Sequence, residues 1–185
     1  MLEEIYLQSE EKMEKTLAAT ETTFAQIRTG KASPRLLDSI RIDYYGSVTP
    51  LNQVANISVP EPRLIVIQPW DKKMVGDIEK AIQKSDLGLN PSNDGTIIRI
   101  PIPPLSEERR KELVKYAGKV AEERKVAIRN IRREANDALK KGEKDSKISK
   151  DDHHRGQGNI QKLTDDYIKK IDTLLAKKEK EIMEV

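Results

Sequence analysis

The longest pattern in the chain is a helical one, between Leu105 and about Lys141. Apolar side chains recur there at spacings of three and four residues, which places them on one side of an α-helix. This apolar stripe consists of Leu113, Ala117, Val120, Ala121, Ile128, Ile131, Ala135 and Leu139. A basic stripe with the same periodicity lies about a quarter-turn away and consists of Lys125, Arg129, Arg132 and Arg133. One face of this helix therefore requires a protein core, and the other attracts negative charge.

Two further stretches carry a helical apolar stripe. The first runs from Leu2 to about Arg28 and is followed by a glycine and then a proline, a pairing that ends helices. The other runs from about Asp151 to the C-terminus. Gly156 and Gly158 near its start each cost roughly 1 kcal/mol relative to Ala, so we expect its first turn or two to fray or begin late. Because no narrow stripe can be buried alone, we predict an elongated three-helix bundle.

The segment between the first two long helices has a different pattern. Alternating apolar and polar positions predict strands at 39–45, 54–59, 63–68 and 96–102, and Met74–Lys84 predicts a short helix capped by Asp71. The fold class is therefore α+β, with a bundle domain of residues 1–30 and 105–185 and an inserted α/β domain of residues 31–104. The chain crosses at Gly30–Lys31 and returns at Pro104–Leu105. We expect the crossings to lie side by side as a two-strand hinge.

Composition narrows the class of protein. Charged residues make up 35% of the 185 positions and hydrophobic residues 36%, which suits long helices in a thin bundle. The absence of cysteine excludes disulfides and thiolate metal sites. No run approaches the roughly 20 apolar residues of a membrane span, and the N-terminus lacks the apolar segment of a signal peptide. We therefore expect a cytoplasmic protein that does not associate with membranes.

Motifs of catalytic and cofactor sites are absent from the sequence. It contains no GxxxxGK[ST], GxGxxG, GxSxG or HExxH. The two histidines, His153 and His154, are adjacent, so on a helix they point about 100° apart and form poor metal-ligand geometry. We expect both to be solvated surface side chains. The sequence thus predicts a protein that is not an enzyme and holds no cofactor or metal.

Two interpretations of the basic stripe remain open. In one, it is a solvated face whose charges pair with Glu122, Glu123 and Glu134, and the bundle is a protein–protein interaction module without RNA binding. In the other, it contacts a nucleic-acid backbone. Residues 128–133 (IRNIRR) hold three arginines and no acid, and arginine suits bidentate phosphate contact. The scarcity of aromatic residues to stack on unpaired bases favours a double-helical partner.

Seven stretches spread over nearly the whole chain carry a family resemblance. They are residues 27–34 (IRTGKASP), 43–46 (DYYG), 50–53 (PLNQ), 85–91 (SDLGLNP), 105–113 (LSEERRKEL), 126–133 (VAIRNIRR) and 160–165 (IQKLTD). In this order they resemble the ribosome recycling factor family of bacteria and organelles. Several long runs in one order are far more specific than a single short motif.

The resemblance implies a fold and a function. The family fold is a three-helix bundle with an inserted β/α/β domain in an L shape. Its members act in ribosome recycling after translation termination. They bind the large ribosomal subunit and, with elongation factor G and GTP hydrolysis by that factor, separate the subunits. We therefore expect a monomer whose partners are the ribosome and elongation factor G.

The resemblance also implies roles for particular residues. The family's contacts to ribosomal RNA map onto Arg129 and Arg132, with Arg133 and Lys125 beside them in the basic stripe. The family's hinge maps onto the crossings at Gly30–Lys31 and Pro104–Leu105.

Overall fold

A computed structural model describes residues 1–184 and divides the chain into two compact units. The larger unit contains residues 1–27 and the chain from Glu107 onward, and the smaller one is Arg28–Ser106. The larger unit is built from three α-helices and the smaller from six strands and one α-helix. The predicted α+β fold class is confirmed. Residues 28–30 and 105–106, which the sequence analysis assigned to the bundle, belong to the smaller unit.

The larger unit is a bundle of α1 (Leu2–Ala25), α3 (Glu107–Lys144) and α4 (Lys150–Met183), and each helix packs against the other two. All eight residues of the predicted apolar stripe on α3 are buried. The stripes of α1 and α4 supply the rest of this core, chiefly Met13, Leu17, Phe24, Ile160, Leu163, Tyr167, Ile171 and Ile182. Burial of three narrow stripes against one another stabilises helices that could not be stable alone.

Buried hydroxyl groups in the bundle are satisfied within their own helices. Ser9, Thr20 and Thr164 are buried, and each hydroxyl donates to the carbonyl oxygen four residues earlier, at 2.7, 2.8 and 2.8 Å. Such bonds remove most of the cost of burying a polar group. The polar interruption at Ser9 in the α1 stripe is therefore compatible with the core.

The start of α4 differs from our expectation of a frayed or late first turn. The helix begins at Lys150, and Ser149 forms a capping box with Asp152, whose amide donates to the Ser149 hydroxyl at 3.0 Å. Gly156 is buried, and a Cβ added there would lie 2.9 Å from Leu139 Cδ2. This glycine thus permits close helix packing. The predicted C-terminal end of this helix, Val185, lies outside the described residues.

The smaller unit contains two antiparallel sheets. Strands β1 (Arg41–Tyr44) and β2 (Ser47–Pro50) form a hairpin. Strands β3 (Ala55–Glu61), β4 (Leu64–Pro69), β5 (Ser92–Asn93) and β6 (Ile98–Pro101) form a second sheet in the order β3-β4-β6-β5. The four predicted strands are confirmed, whereas the short strands β2 and β5 were missed.

One helix, α2 (Val75–Lys84), completes the smaller unit. Asp71 caps the short 3₁₀ turn that leads into it, accepting the Lys73 amide hydrogen at 3.0 Å. The core of the unit joins the helix to the sheet through isoleucines that are fully buried: Ile65, Ile67, Ile78, Ile82, Ile98 and Ile100. Among residues 1–184, no helix combines the length and the apolar character that a membrane crossing requires.

Candidate nucleic-acid interface

The basic stripe lies on α3, whose rotation about its own axis is fixed by the core. Ile128 is fully buried and Ala135 and Leu139 nearly so. The basic stripe is therefore held in place by packing, and Arg129 and Arg132 each directly follow a buried isoleucine. Of these bases, Arg133 is exposed, while Lys125, Arg129 and Arg132 are partly covered.

Lys125 is occupied by an ion-pair network between two helices. Its ammonium group lies 2.5 Å from the carboxylate of Asp172 on α4 and 3.0 Å from that of Glu122 on α3, and its side chain is only 13% exposed. The hydrogen bond to Asp172, helped by that to Glu122, holds the pKa of Lys125 above its ordinary value. Lys125 therefore links α3 to α4 and presents little surface to a ligand.

The three arginines have a different environment. Arg132 donates to the amide oxygen of Gln161 and Arg133 to that of Asn130, both at 3.4 Å, at the long end of the hydrogen-bond range. Arg129 makes no hydrogen bond or ion pair with any part of residues 1–184. None of the three guanidinium groups pairs with a carboxylate in that part of the chain, which leaves each able to bind an anion.

Within residues 1–184, the glutamates near the basic stripe leave its three arginines unpaired, although one of these glutamates pairs with the lysine of the stripe. Glu134 points toward α1, where it pairs with Lys12 at 2.8 Å. Glu122 pairs with Lys125 at 3.0 Å. The alternative in which the arginines are balanced by these neighbouring acids is therefore not what the structure contains.

Two lysines that were not predicted extend this face of α3. Lys115 lies about four helical turns before Arg129, and Lys140 about three turns after it. Both are exposed, and neither makes a hydrogen bond or ion pair within the described residues. Their distances from Arg129 along the chain are close to whole numbers of helical turns, which places them on the same face. A comparison limited to neighbouring turns does not show this periodicity.

The two chain crossings predicted as a hinge lie side by side in the smaller unit. Gly30 has a positive φ of 76°, and a Cβ added to it would lie 3.4 Å from Leu105 Cγ. Next to them, the β3–β4 turn binds both crossing segments. The Ala32 amide donates to Pro62 at 2.7 Å, and the Ile102 amide donates to Arg63 at 2.8 Å. Lys31 and Pro104 are both exposed.

The histidine pair lies in the first turns of α4, next to the end of α3. His154 is exposed, as expected, but His153 is partly buried and its Nδ1 contacts the carboxylate of Glu143 near the end of α3. The expectation of two solvated histidines was therefore wrong for His153. Among residues 1–184, no group of three or more histidine and carboxylate side chains is placed to hold a metal ion.

Comparisons with known proteins agree with the fold and the resemblance. The family model described as ribosome recycling factor matches residues 20–183. The chain is 58% identical to the ribosome-recycling factor of Syntrophomonas wolfei and 56% identical to that of Desulfatibacillum aliphaticivorans, over the full length of both chains in each case. A solution structure of the ribosome recycling factor superposes with a TM-score of 0.81 at 46% identity, covering 100% of this chain and 98% of the other.

A second structural neighbour comes from an assembly. It is the ribosome recycling factor of T. thermophilus, from a structure that places it and E. coli elongation factor G on the E. coli post-termination complex. It superposes with a TM-score of 0.67 at 50% identity over the whole of both chains. From the family-model match and from relatives above 50% identity over their entire length, we conclude that this chain belongs to the ribosome recycling factor family.

Proposed function

We propose that this protein binds the RNA of the large ribosomal subunit through Arg129, Arg132 and Arg133 and, together with elongation factor G, separates the subunits after termination. The observation that carries the proposal is the absence of a carboxylate partner for all three arginines within residues 1–184. Ribosomal RNA offers phosphates in double-helical geometry, which arginine recognises through two parallel hydrogen bonds. Membership of the family gives the ribosome as the site of action.

The partner that supplies energy is inferred from the assembly that contains a relative of this chain. That relative is placed with elongation factor G on a post-termination complex. We assign GTP hydrolysis to that factor and no catalytic step to this chain. Lys125 is left out of the proposed RNA contacts because its ammonium group is already bound by Asp172 and Glu122.

The RNA contact is tested by Arg132→Ala in a pelleting assay with isolated large subunits. Loss of a charge-assisted hydrogen bond should weaken binding about tenfold or more. Arg132→Lys keeps the charge without the planar fork and should lie between Ala and wild type. Lys15→Ala, which removes an exposed base paired with Glu11 on α1, is the matched control and should bind normally.

Equal binding by wild type and Arg132→Ala at every salt concentration would refute the role of the arginines. An affinity that does not fall as salt rises would contradict phosphate contact altogether. In that case the bundle would act as a protein-binding module.

We further propose that the crossings at Gly30–Lys31 and Pro104–Leu105 form the pivot on which subunit separation depends. Two observations support this proposal: Gly30 lies close to Leu105, and both crossing segments are hydrogen-bonded to the β3–β4 turn. A disulfide between Lys31→Cys and Leu105→Cys lies within the smaller unit and fixes the two crossing strands to each other, which prevents them from sliding when the pivot bends; the chain has no other cysteine. The tied protein should bind large subunits normally but fail to separate subunits until a reductant is added. Full separation activity in the oxidised protein would exclude the pivot.

A further inference from the structure

The smaller unit exposes three large apolar side chains. Tyr45, Val48 and Trp70 have exposed fractions of 75%, 74% and 70%. Tyr45 lies in the β1–β2 turn, Val48 follows in β2, and Trp70 directly follows β4. The Tyr45 hydroxyl donates to the Asp71 carboxylate at 2.7 Å, which brings the turn against the segment that carries Trp70. We call Tyr45, Val48 and Trp70 the aromatic patch.

Tyr45 occupies a backbone conformation that suits other residues better. Its φ is 50°, and that of Gly46 is 86°, so both central residues of this two-residue turn lie in the left-handed region. Such hairpin turns favour Asn-Gly or Asp-Gly, and a bulky side chain at positive φ is a marked exception. The turn therefore carries backbone strain at an exposed tyrosine, and strain of this kind is common at functional surfaces.

The exposed ring of Tyr45 is also held in position. It packs edge-to-face on Tyr44, with ring centroids 4.7 Å apart and an interplanar angle of 76°. Its hydroxyl is bound by Asp71. A rigid aromatic side chain loses little conformational entropy on binding, which is why such rings dominate the energetics of protein interfaces.

Asp71 and Asp43 lie next to Tyr45, and the exposed Lys72 and Lys73 follow Asp71 in the chain; of these charges, only the Asp71 carboxylate is bonded to Tyr45 itself. Asp71 accepts the Tyr45 hydroxyl and also the Lys73 amide, and the bond to Tyr45 holds the pKa of Asp71 below its ordinary value. Asp43 accepts the Gly46 amide hydrogen at 2.9 Å. Carboxylates beside aromatic faces repel phosphate and attract a cation, which arginine or lysine can place over the ring.

We propose that the aromatic patch is a docking surface for a protein segment that presents an arginine or lysine beside an apolar side chain. The cation lies over the Tyr45 ring within reach of Asp71, and the apolar side chain covers Val48. This contact involves none of the arginines of α3, so its test does not depend on whether the proposed RNA binding is correct.

Trp70 is the only tryptophan of the chain and directly precedes Asp71, which binds the Tyr45 hydroxyl, so tryptophan emission reports on this region. The probe is a blocked hexapeptide of alternating arginine and leucine, titrated into the full-length protein while tryptophan emission is followed. We expect a saturable change in emission. Replacing each arginine of the peptide by citrulline, which keeps the shape and removes the charge, should weaken binding about fivefold. A peptide with glutamate in place of arginine should not bind.

Three variants locate the contact. Tyr45→Asn introduces a residue that the turn favours, so the melting temperature should hold or rise while peptide binding weakens about fivefold. Asp71→Asn keeps a capping oxygen but removes the charge and should also weaken binding. Tyr116→Asn removes a tyrosine that is 48% exposed on α3, in the other unit, and should leave binding unchanged.

Several results would overturn the proposal. Absence of an emission change with the arginine–leucine peptide, equal binding of the citrulline peptide, or undiminished binding by Tyr45→Asn would each exclude the contact. Tighter binding of a uridine hexanucleotide would make the patch an RNA-stacking surface instead, with Lys72 and Lys73 outweighing the carboxylates. Emission that changes with protein concentration alone would identify a second copy of the chain as the occupant.

Discussion

Gly156 and Gly158 lie two residues apart in α4, and substitution by alanine should stabilise the bundle only at Gly158. A Cβ at Gly156 would lie 2.9 and 3.1 Å from the two methyl groups of Leu139 and 3.2 Å from Leu2 Cδ2. A Cβ at Gly158 would meet nothing within 4 Å. Both positions lie inside a regular helix, so both substitutions gain the same intrinsic helix propensity.

The expected magnitudes follow from these contacts. Gly→Ala in a helix interior gains about 1 kcal/mol, and Gly158→Ala should realise this gain because its methyl group enters open space. At Gly156 the gain is opposed by overpacking, which costs about 1–3 kcal/mol. Leu139 is 1% exposed and packed against Ile160, so it has little room to move away. Gly156→Ala should therefore be neutral or destabilise the bundle by up to about 2 kcal/mol.

The assay is urea unfolding followed by helical circular dichroism, with the two single variants and wild type measured together. The difference between the variants removes the propensity term and isolates the packing cost. A second background, Leu139→Ala, opens space beside Gly156, and there Gly156→Ala should become stabilising. If Gly156→Ala stabilises the wild-type protein as much as Gly158→Ala does, the close-packing explanation for this glycine is refuted.

Two further predictions concern ionisable groups in the bundle. Lys125→Met should destabilise it by about 1 kcal/mol at neutral pH. The hydrogen bond to Asp172 raises the pKa of Lys125 in the folded protein. The difference in unfolding free energy between wild type and Lys125→Met should therefore be largest below about pH 10.4 and vanish as the pH rises through the raised pKa. Urea unfolding midpoints measured across pH test this. Burial and the hydrogen bond to Glu14 raise the pKa of Tyr167. The protonated phenol therefore stabilises the fold below about pH 10, and this contribution is lost at higher pH. Tyr167→Phe should cost about 1 kcal/mol at pH 8 and less above pH 10. Ultraviolet titration should show a tyrosine that resists ionisation in the wild type and is missing from Tyr167→Phe.

Local periodicity was sufficient to predict the helices and most strands. The apolar stripe from Leu113 to Leu139 is buried throughout. Its residues share one side of a helix with 3.6 residues per turn, and the bundle covers that side. Strand β2 was missed because Ser47–Pro50 has no apolar alternation. It is a strand because the tight turn at Tyr45–Gly46 pairs it with β1.

Features that depend on contacts between distant segments could not be predicted in this way. Gly156 weakens a helix when α4 is considered alone, and its role becomes visible only when Leu139 of α3 and Leu2 of α1 are placed against it. The Glu143 contact of His153 likewise joins two helices. In both cases the partner lies on another helix, and residue spacing within one helix does not predict which residues of another helix will contact it.

The basic stripe illustrates the same limit for function. Lys125 and Arg129 are one turn apart on α3 and equivalent by periodicity, yet Asp172 of α4 reaches only Lys125. One base is therefore part of the scaffold, and the other remains able to bind a phosphate. The distinction has a measurable consequence in the salt series with large subunits. Arg132→Ala should lower the dependence of log affinity on log salt by about one unit, whereas Lys125→Met should destabilise the bundle but leave that slope unchanged. A slope that falls equally in both variants would mean that Lys125 exchanges its carboxylates for phosphate on binding, and the division of the stripe into scaffold and contact would be wrong.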